Sequence, residues 1–247
     1  MRVLGTELYD KGFDTAVEEL IQFSKLAQEN KLISASDAHV LVTAKTQPEF
    51  KEILQSFYWN LPDGVPSVWL MKWKGAKEAN RISGPQFFEA VIKATKNMNI
   101  NHFLCGGAEG VAQQLKVVCE SWGNQNVVGT LSPPFRAFLN TDYIDIGEKI
   151  IDSRAHIVWI GLGAPKQIYF ANELKKHTNV QGMVTIGAAF DFHTQRVKKA
   201  PKWIQKIGLE WLFRLYQEPK RLFKRYFKTV PYFIWYALGD VILRKKK

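Results

Sequence analysis

Six stretches of this chain place acidic, cationic or glycine-rich residues directly after apolar runs, where side chains can do chemistry. LISASDAH (32–39) sets Ser34, Ser36 and Asp37 behind a strand-like run. Hydroxyls and a carboxylate there can contact a ligand, and they can equally cap the next helix. LPDGVP (61–66) holds Asp63 in a proline-flanked turn. A turn aspartate needs no function, but a carboxylate exposed in a turn can act as a general base. RISGP (81–85) puts Arg81 beside a Gly-Pro helix start, a combination that suits an anion. CGGAEGVA (105–112) and GLGAPKQ (161–167) each run from a strand through glycines into a helix. Gly106, Gly107 and Gly163 could let backbone amides approach a phosphate, or could serve tight turn packing. Pro165 starts the second helix, and Lys166 and Gln167 follow it. IGAAFDF (186–192) ends a strand at Gly187 and carries Asp191, a position more often occupied by a buried structural aspartate.

The elements that must position these residues follow from the hydrophobic pattern. Residues 31–36, 101–106, 126–131, 156–161 and 182–187 are short apolar runs closed by Gly, Ser or Thr. They predict buried parallel strands. Residues 15–28, 108–122 and 164–177 carry apolar residues at helical spacing. Strands alternating with helices predict an α/β fold: a Rossmann-like, mostly parallel sheet with helices on both faces. Ligands in such folds bind beyond the carboxyl ends of the strands.

The last fifth of the chain is different. Residues 196–247 hold 15 Lys and Arg against 3 Asp and Glu, a net of +12, while residues 1–195 hold 19 against 20, a net of −1. This predicts a neutral α/β body over 1–195 and a basic, aromatic, helical C-terminal appendage over 196–247. Trp203, Ile207, Leu209, Leu212, Phe213, Leu215 and Tyr216 recur at near-helical spacing. Pro219 starts a second helix, with Leu222, Phe223, Tyr226 and Phe227 on one side and Lys220, Arg221, Lys224, Arg225 and Lys228 around them. That is the pattern of a helix lying at a membrane surface. The bland reading is a helix packed on its own domain with a solvated basic face.

Composition narrows the classes. With 247 residues, 46% hydrophobic and 13% aromatic, the chain can bury a sizeable core. Two cysteines, Cys105 and Cys119, predict reduced thiols and a cytosolic setting. The first residues show no signal-peptide pattern, and no apolar run reaches the ~18 residues that span a bilayer. No Asp-x-Asp pair, HExxH, GxSxG or His/Cys cluster occurs, so neither a metal nor a cofactor is expected. A basic-tailed nucleic-acid-binding protein would explain the tail but not the strand-end motifs of the body. An oxidoreductase using CGGAEG would lack a clean GxGxxG fingerprint.

The order of these motifs resembles the WecG/TagA/CpsF glycosyltransferases (glycosyltransferase family 26), from about residue 5 to about 235. SASDAH, LPDGVP, RISGP, CGGAEGVA and GLGAPKQ are followed by IGAAFDF, KAPKWIQKIGLEWLFRLYQEP and KRLFKRY, and the last three are the most specific. The resemblance implies a bacterial enzyme that moves a sugar, with inversion, from a UDP-sugar to a saccharide on undecaprenyl diphosphate, in exopolysaccharide, capsule or teichoic acid synthesis. The sugar would be a hexose or an N-acetylhexosamine. The enzyme would be cytoplasmic and peripheral on the inner face of the cell membrane. Its partners would be the donor, the lipid-linked acceptor and an anionic membrane surface, and not nucleic acid. Carried onto this sequence, the family's catalytic aspartate falls on Asp63. Its Thr-x-Asn pair falls on Ser34 and Ser36, its Gly-x-Pro-Lys-Gln motif on Gly163, Pro165, Lys166 and Gln167, and its tail arginines on Arg214, Arg221 and Arg225. Arg81, Gly106, Gly107 and Asp191 complete the expected substrate site. The sequence departs from the family's asparagine at Ser36, its glutamate at Ile168 and its Arg-Ala-Pro at Lys199–Pro201.

Overall fold

The structure, a computed structural model, describes residues 1–26 and 29–244. The chain begins with a small antiparallel hairpin, β1 (Arg2–Val3) and β2 (Thr6–Glu7). Six further strands form one parallel sheet: β3 (Lys31–Ser36), β4 (Trp59–Pro62), β5 (His102–Gly106), β6 (Val127–Leu131), β7 (Ile157–Gly161) and β8 (Gly182–Thr185). Their order across the sheet is β4-β3-β8-β7-β5-β6.

Both faces of this sheet are buried, which is why its strands read as continuous apolar runs. Ile33, Leu104, Trp159 and Val184 enter one core, beside α1 (Phe13–Phe23), α5 (Gly84–Ala94), α6 (Val111–Ser121) and α9 (Ala189–His193). Phe103, Val158, Ile160 and Met183 enter the other, beside α2 (Ala38–Thr46), α3 (Pro48–Gln55), α7 (Asn140–Asp152) and α8 (Lys166–Leu174). The first core contains wholly buried His102, whose Nδ1 accepts the Trp159 indole N–H at 3.2 Å and whose Nε2 meets Thr95 Oγ1 at 2.8 Å. Burial pushes its pKa down to about 3, so it is a neutral structural histidine.

Beyond the last strand come α10 (Lys202–Lys206), α11 (Glu210–Gln217) and α12 (Pro219–Arg244). α12 runs as one helix through Pro231, which has no N–H to give to the helical ladder. It is seated on a third core formed by the hairpin, α2 and α4 (Val65–Trp73), where Phe233 is buried with Val3, Leu8, Leu41 and Met71. Asp240 fastens it, accepting the Leu4 N–H at 3.0 Å and Lys74 Nζ at 2.6 Å.

Several elements differ from the sequence expectation. β4 is a strand where only a turn was expected, because four residues are too few to show periodicity. The helix expected over 15–28 ends at Phe23, and its final residues 27 and 28 lie outside the described residues, as do 245–247 of the terminal basic run. The four apolar residues expected on one side of the second tail helix divide between two. Leu222 is buried and Tyr226 half-buried, while Phe223 and Phe227 are exposed and stack at 5.7 Å.

Candidate active site

The carboxyl ends of β4, β3, β8, β7 and β5 face one edge of the sheet, and the predicted residues gather there. β4 ends at Pro62, so Asp63 is the first residue beyond the sheet. Its amide donates to the Ser36 carbonyl of the neighbouring strand at 3.2 Å, which fixes the turn. Its carboxylate Oδ1 takes Nη2 of Arg81 at 3.3 Å, and Oδ2 takes the Gly84 amide at 3.4 Å. Arg81 Nε also binds the Asp63 carbonyl at 3.2 Å. Arg81 therefore grips the turn and the carboxylate together, and the N-terminus of α5 supplies the amide.

Arg81 has a second partner that sequence reasoning missed. Glu210, the first residue of α11, lies 2.7 Å from the same Nη2. Asp63, Arg81 and Glu210 are each close to four-fifths buried. Burial pushes the Asp63 pKa up to about 7, against the pull of Arg81, with Glu210 and Asp37 adding to the rise. A carboxylate of this kind is half ionised at neutral pH, the condition that suits a general base.

Asp37 meets both readings of the sequence. Its Oδ1 caps α2 by accepting the Val40 amide at 2.9 Å, and its Oδ2 pairs with Arg225 of α12 at 2.7 Å. Burial alone would raise its pKa, but Arg225, His39 and the cap amides hold it below the usual carboxylate range. Asp191 sits at the first turn of α9, with Arg196 at 3.8 Å and the charges of Arg221 and Arg214 around it. Its pKa is raised, burial being the main cause. Arg214 lies over the Phe192 ring at 5.0 Å, and both Arg214 and Arg221 pair with Glu218. The Nε atoms of Arg214 and Arg225 are buried without a hydrogen-bond partner, which leaves donor capacity beside the cleft.

Other predicted residues serve as framework. Ser34 and Ser36 are wholly buried, and the Ser36 hydroxyl donates to Ser34 Oγ at 3.1 Å. Gln167 is buried, and its side-chain carbonyl accepts the Gly187 amide at 3.1 Å, bracing two strand-end turns. Gly107 donates its amide to the Gly161 carbonyl at 3.0 Å, and a Cβ on Gly106 would meet that oxygen at 2.6 Å. Gly106 lets β5 and β7 approach, and a Cβ on Gly107 would meet the Val111 side chain of α6 at 2.7 Å, so both glycines serve tight packing here. Gly163, with φ of +75°, has open space around it, and Pro165 follows a cis Ala164–Pro165 bond. Lys166 is exposed, its Nζ 4.5 Å from the Phe138 ring. Ile168 is wholly buried in the second core and is not presented to the cleft.

Cavities of about 460 and 580 Å³ open at the opposite, amino ends of the strands, around His156 and Lys31 respectively. They contain none of the predicted residues. Among the described residues no group of three His, Cys, Asp or Glu side chains is placed to hold a metal, and no helix is long and apolar enough to cross a membrane.

Beyond the carboxyl edge of this parallel sheet, where such folds bind ligands, lies a buried carboxylate overlaid by the arginine-bearing helices α11 and α12. The whole chain, residues 1–247, matches the model of the Glycosyl transferase WecG/TagA/CpsF family. The protein belongs to that family, whose members are glycosyltransferases of cell-surface polysaccharide synthesis.

Proposed function

We propose that this protein is an inverting glycosyltransferase that moves a sugar from a UDP-sugar to a saccharide on a polyprenyl diphosphate, with Asp63 as general base. The observation that carries this reading is the Asp63 carboxylate, held by Arg81 and the Gly84 amide beyond the sheet edge. The acceptor hydroxyl gives its proton to Asp63 as its oxygen bonds to the anomeric carbon. The bond from that carbon to the diphosphate breaks on the opposite face, and UDP leaves with the electron pair. Arg214, Arg221 and Arg225 stand on α11 and α12, where cations can balance the charge of the leaving group. Residues 1–195 would form the catalytic body and 196–247 the appendage that completes it.

The test is UDP release from a panel of UDP-hexoses and UDP-N-acetylhexosamines with a lipid-diphosphate saccharide as acceptor. Release with one sugar is expected. Hydrolysis of every donor at the same slow rate with and without acceptor would overturn the transferase assignment.

The outer face of the appendage supports peripheral attachment to the inner face of the cell membrane. Phe223 and Phe227 are 60% and 74% exposed, and Lys220, Lys224 and Lys228 flank them. Each such lysine contributes about 1 kcal/mol at an anionic surface, and aromatic rings settle at headgroup depth. Vesicles containing phosphatidylglycerol should retain the protein in flotation, and pure phosphatidylcholine vesicles should not. The Phe223→Ser/Phe227→Ser variant should bind about tenfold less, since two exposed rings lose roughly 1.4 kcal/mol or more of burial. Retention on DNA with no vesicle binding would favour a nucleic-acid-binding protein instead.

A further inference from the structure

The guanidinium of Arg81 is shared unequally between two carboxylates from distant parts of the chain. It lies 2.7 Å from Glu210 and 3.3 Å from Asp63, through the same nitrogen. Glu210 belongs to the KAPKWIQKIGLEWLFRLYQEP stretch, and the reaction assigned above gives it no role. We propose that Glu210 is a positioning residue which, by drawing Arg81 toward itself, sets the proton affinity of Asp63. This rests on the reading of Asp63 as the base and names what regulates it.

An aspartate paired solely with an arginine is a weak base, because the cation stabilises its ionised form. Glu210 counters this in two ways with the same sign. It takes the shorter arm of the ion pair, and its own negative charge disfavours ionisation of Asp63. It does so from the N-terminus of α11, where a carboxylate is favoured by the unpaired amides. Three charged groups face Asp63: Arg81 from the segment before α5, Glu210 from α11 and Asp37 from the start of α2, together with the Gly84 amide from α5. Asp37 is occupied by Arg225 of α12. Two of the charges that act on the base are thus set by the C-terminal helices: Glu210 directly, and Asp37 through its neutralising arginine. The docked α11 adds to the proton affinity that burial gives the base, which couples the placement of the roof to the reactivity beneath it.

The experiment titrates the Asp63 carboxylate by carbon-13 NMR in the full-length protein, with the signal assigned by its loss in Asp63→Asn. In Glu210→Gln the midpoint should fall by about one pH unit or more, the scale of an arginine pairing fully with a carboxylate. The same change in an Arg81→Gln background should move it less than half as far. An unmoved midpoint overturns the proposal, and so does a shift of equal size with and without Arg81. Should Glu210→Gln not fold, Glu210→Asp, which withdraws the carboxylate by one carbon, should give a smaller shift in the same direction. No shift there overturns the proposal too. The pH–kcat profile separates the two readings. An acid limb that moves with the NMR midpoint supports both. A limb that stays while the midpoint moves leaves Glu210 acting on Asp63 and removes Asp63 as the base. A residue that only held α11 in place would lower kcat without displacing either.

Discussion

Asp63→Asn should abolish sugar transfer and, at pH 8, make the protein more stable. Loss of a positioned base costs roughly 10²–10⁴ in rate, so a fall of about a thousandfold in kcat is expected with the fold intact. The stability gain follows from linkage. The Asp63 pKa lies at about 7 in the folded chain, against 3.8 for an ordinary aspartate. Between those values the folded state binds the proton that the unfolded state has released, so stability falls as pH rises through this window. Above it, the ionised carboxylate costs on the order of 4 kcal/mol. Asparagine keeps the shape without the charge, so the advantage should fade below about pH 4. His39 and His102 act in the opposite sense, since burial lowers their pKa values to about 4 and about 3. Their stability contribution is present above the unfolded value of 6.5 and is lost as pH falls. In the wild type the two slopes oppose each other over much of that range. In Asp63→Asn the largest opposing slope is gone, so stability should climb with pH from about 4 to 6.5. Urea unfolding across pH checks this. Equal stability of the two proteins at pH 8, or near-normal turnover by the variant, would remove Asp63 from its assigned role.

How much of this was legible in the sequence depended on whether the signal was local. The strands at 102–106 and 157–161 are buried on both faces, so an apolar run closed by glycine sufficed to find them. Asp37 was legible as a cap because capping acts over three residues. Its pairing with Arg225, 188 positions away, was not. The link from Glu210 to Arg81 was hidden for the same reason, since complementary charge in two motifs does not say that they meet. The faces of α12 were ambiguous because Leu222 and Phe223 are adjacent and both apolar. Only packing on the third core decides which one is covered. Gly106 and Gly107 show the limit from the other side. A strand–glycine–helix pattern looks the same whether the missing side chains admit a phosphate or other parts of the chain, and here Gly161 of β7 fills the space at Gly106 and Val111 of α6 fills it at Gly107.

Gly84→Ala should be among the most destabilising single-methyl additions in the cleft. A Cβ on Gly84 would stand 2.6 Å from the Ile186 carbonyl oxygen and 3.1 Å from the Ile186 carbonyl carbon and Cα. All three are backbone atoms at the end of β8, with no side chain to swing aside. The N-terminus of α5 must therefore move away from the sheet, a forced overpacking that costs about 3 kcal/mol. For a chain of this length that lowers Tm by about 6–12 °C. Gly163→Ala isolates the other reason for glycine. Its φ of +75° penalises a side chain, but open space surrounds it, so only about 1 kcal/mol is expected. Calorimetry on the two variants separates close approach from backbone strain, and equal losses would sink the argument from Ile186. Activity should separate them too. The Gly84 amide and Arg81 hold Asp63 from the same short segment. Displacing α5 should therefore lower kcat in the molecules that remain folded, because a carboxylate off by an ångström no longer reaches the acceptor hydroxyl.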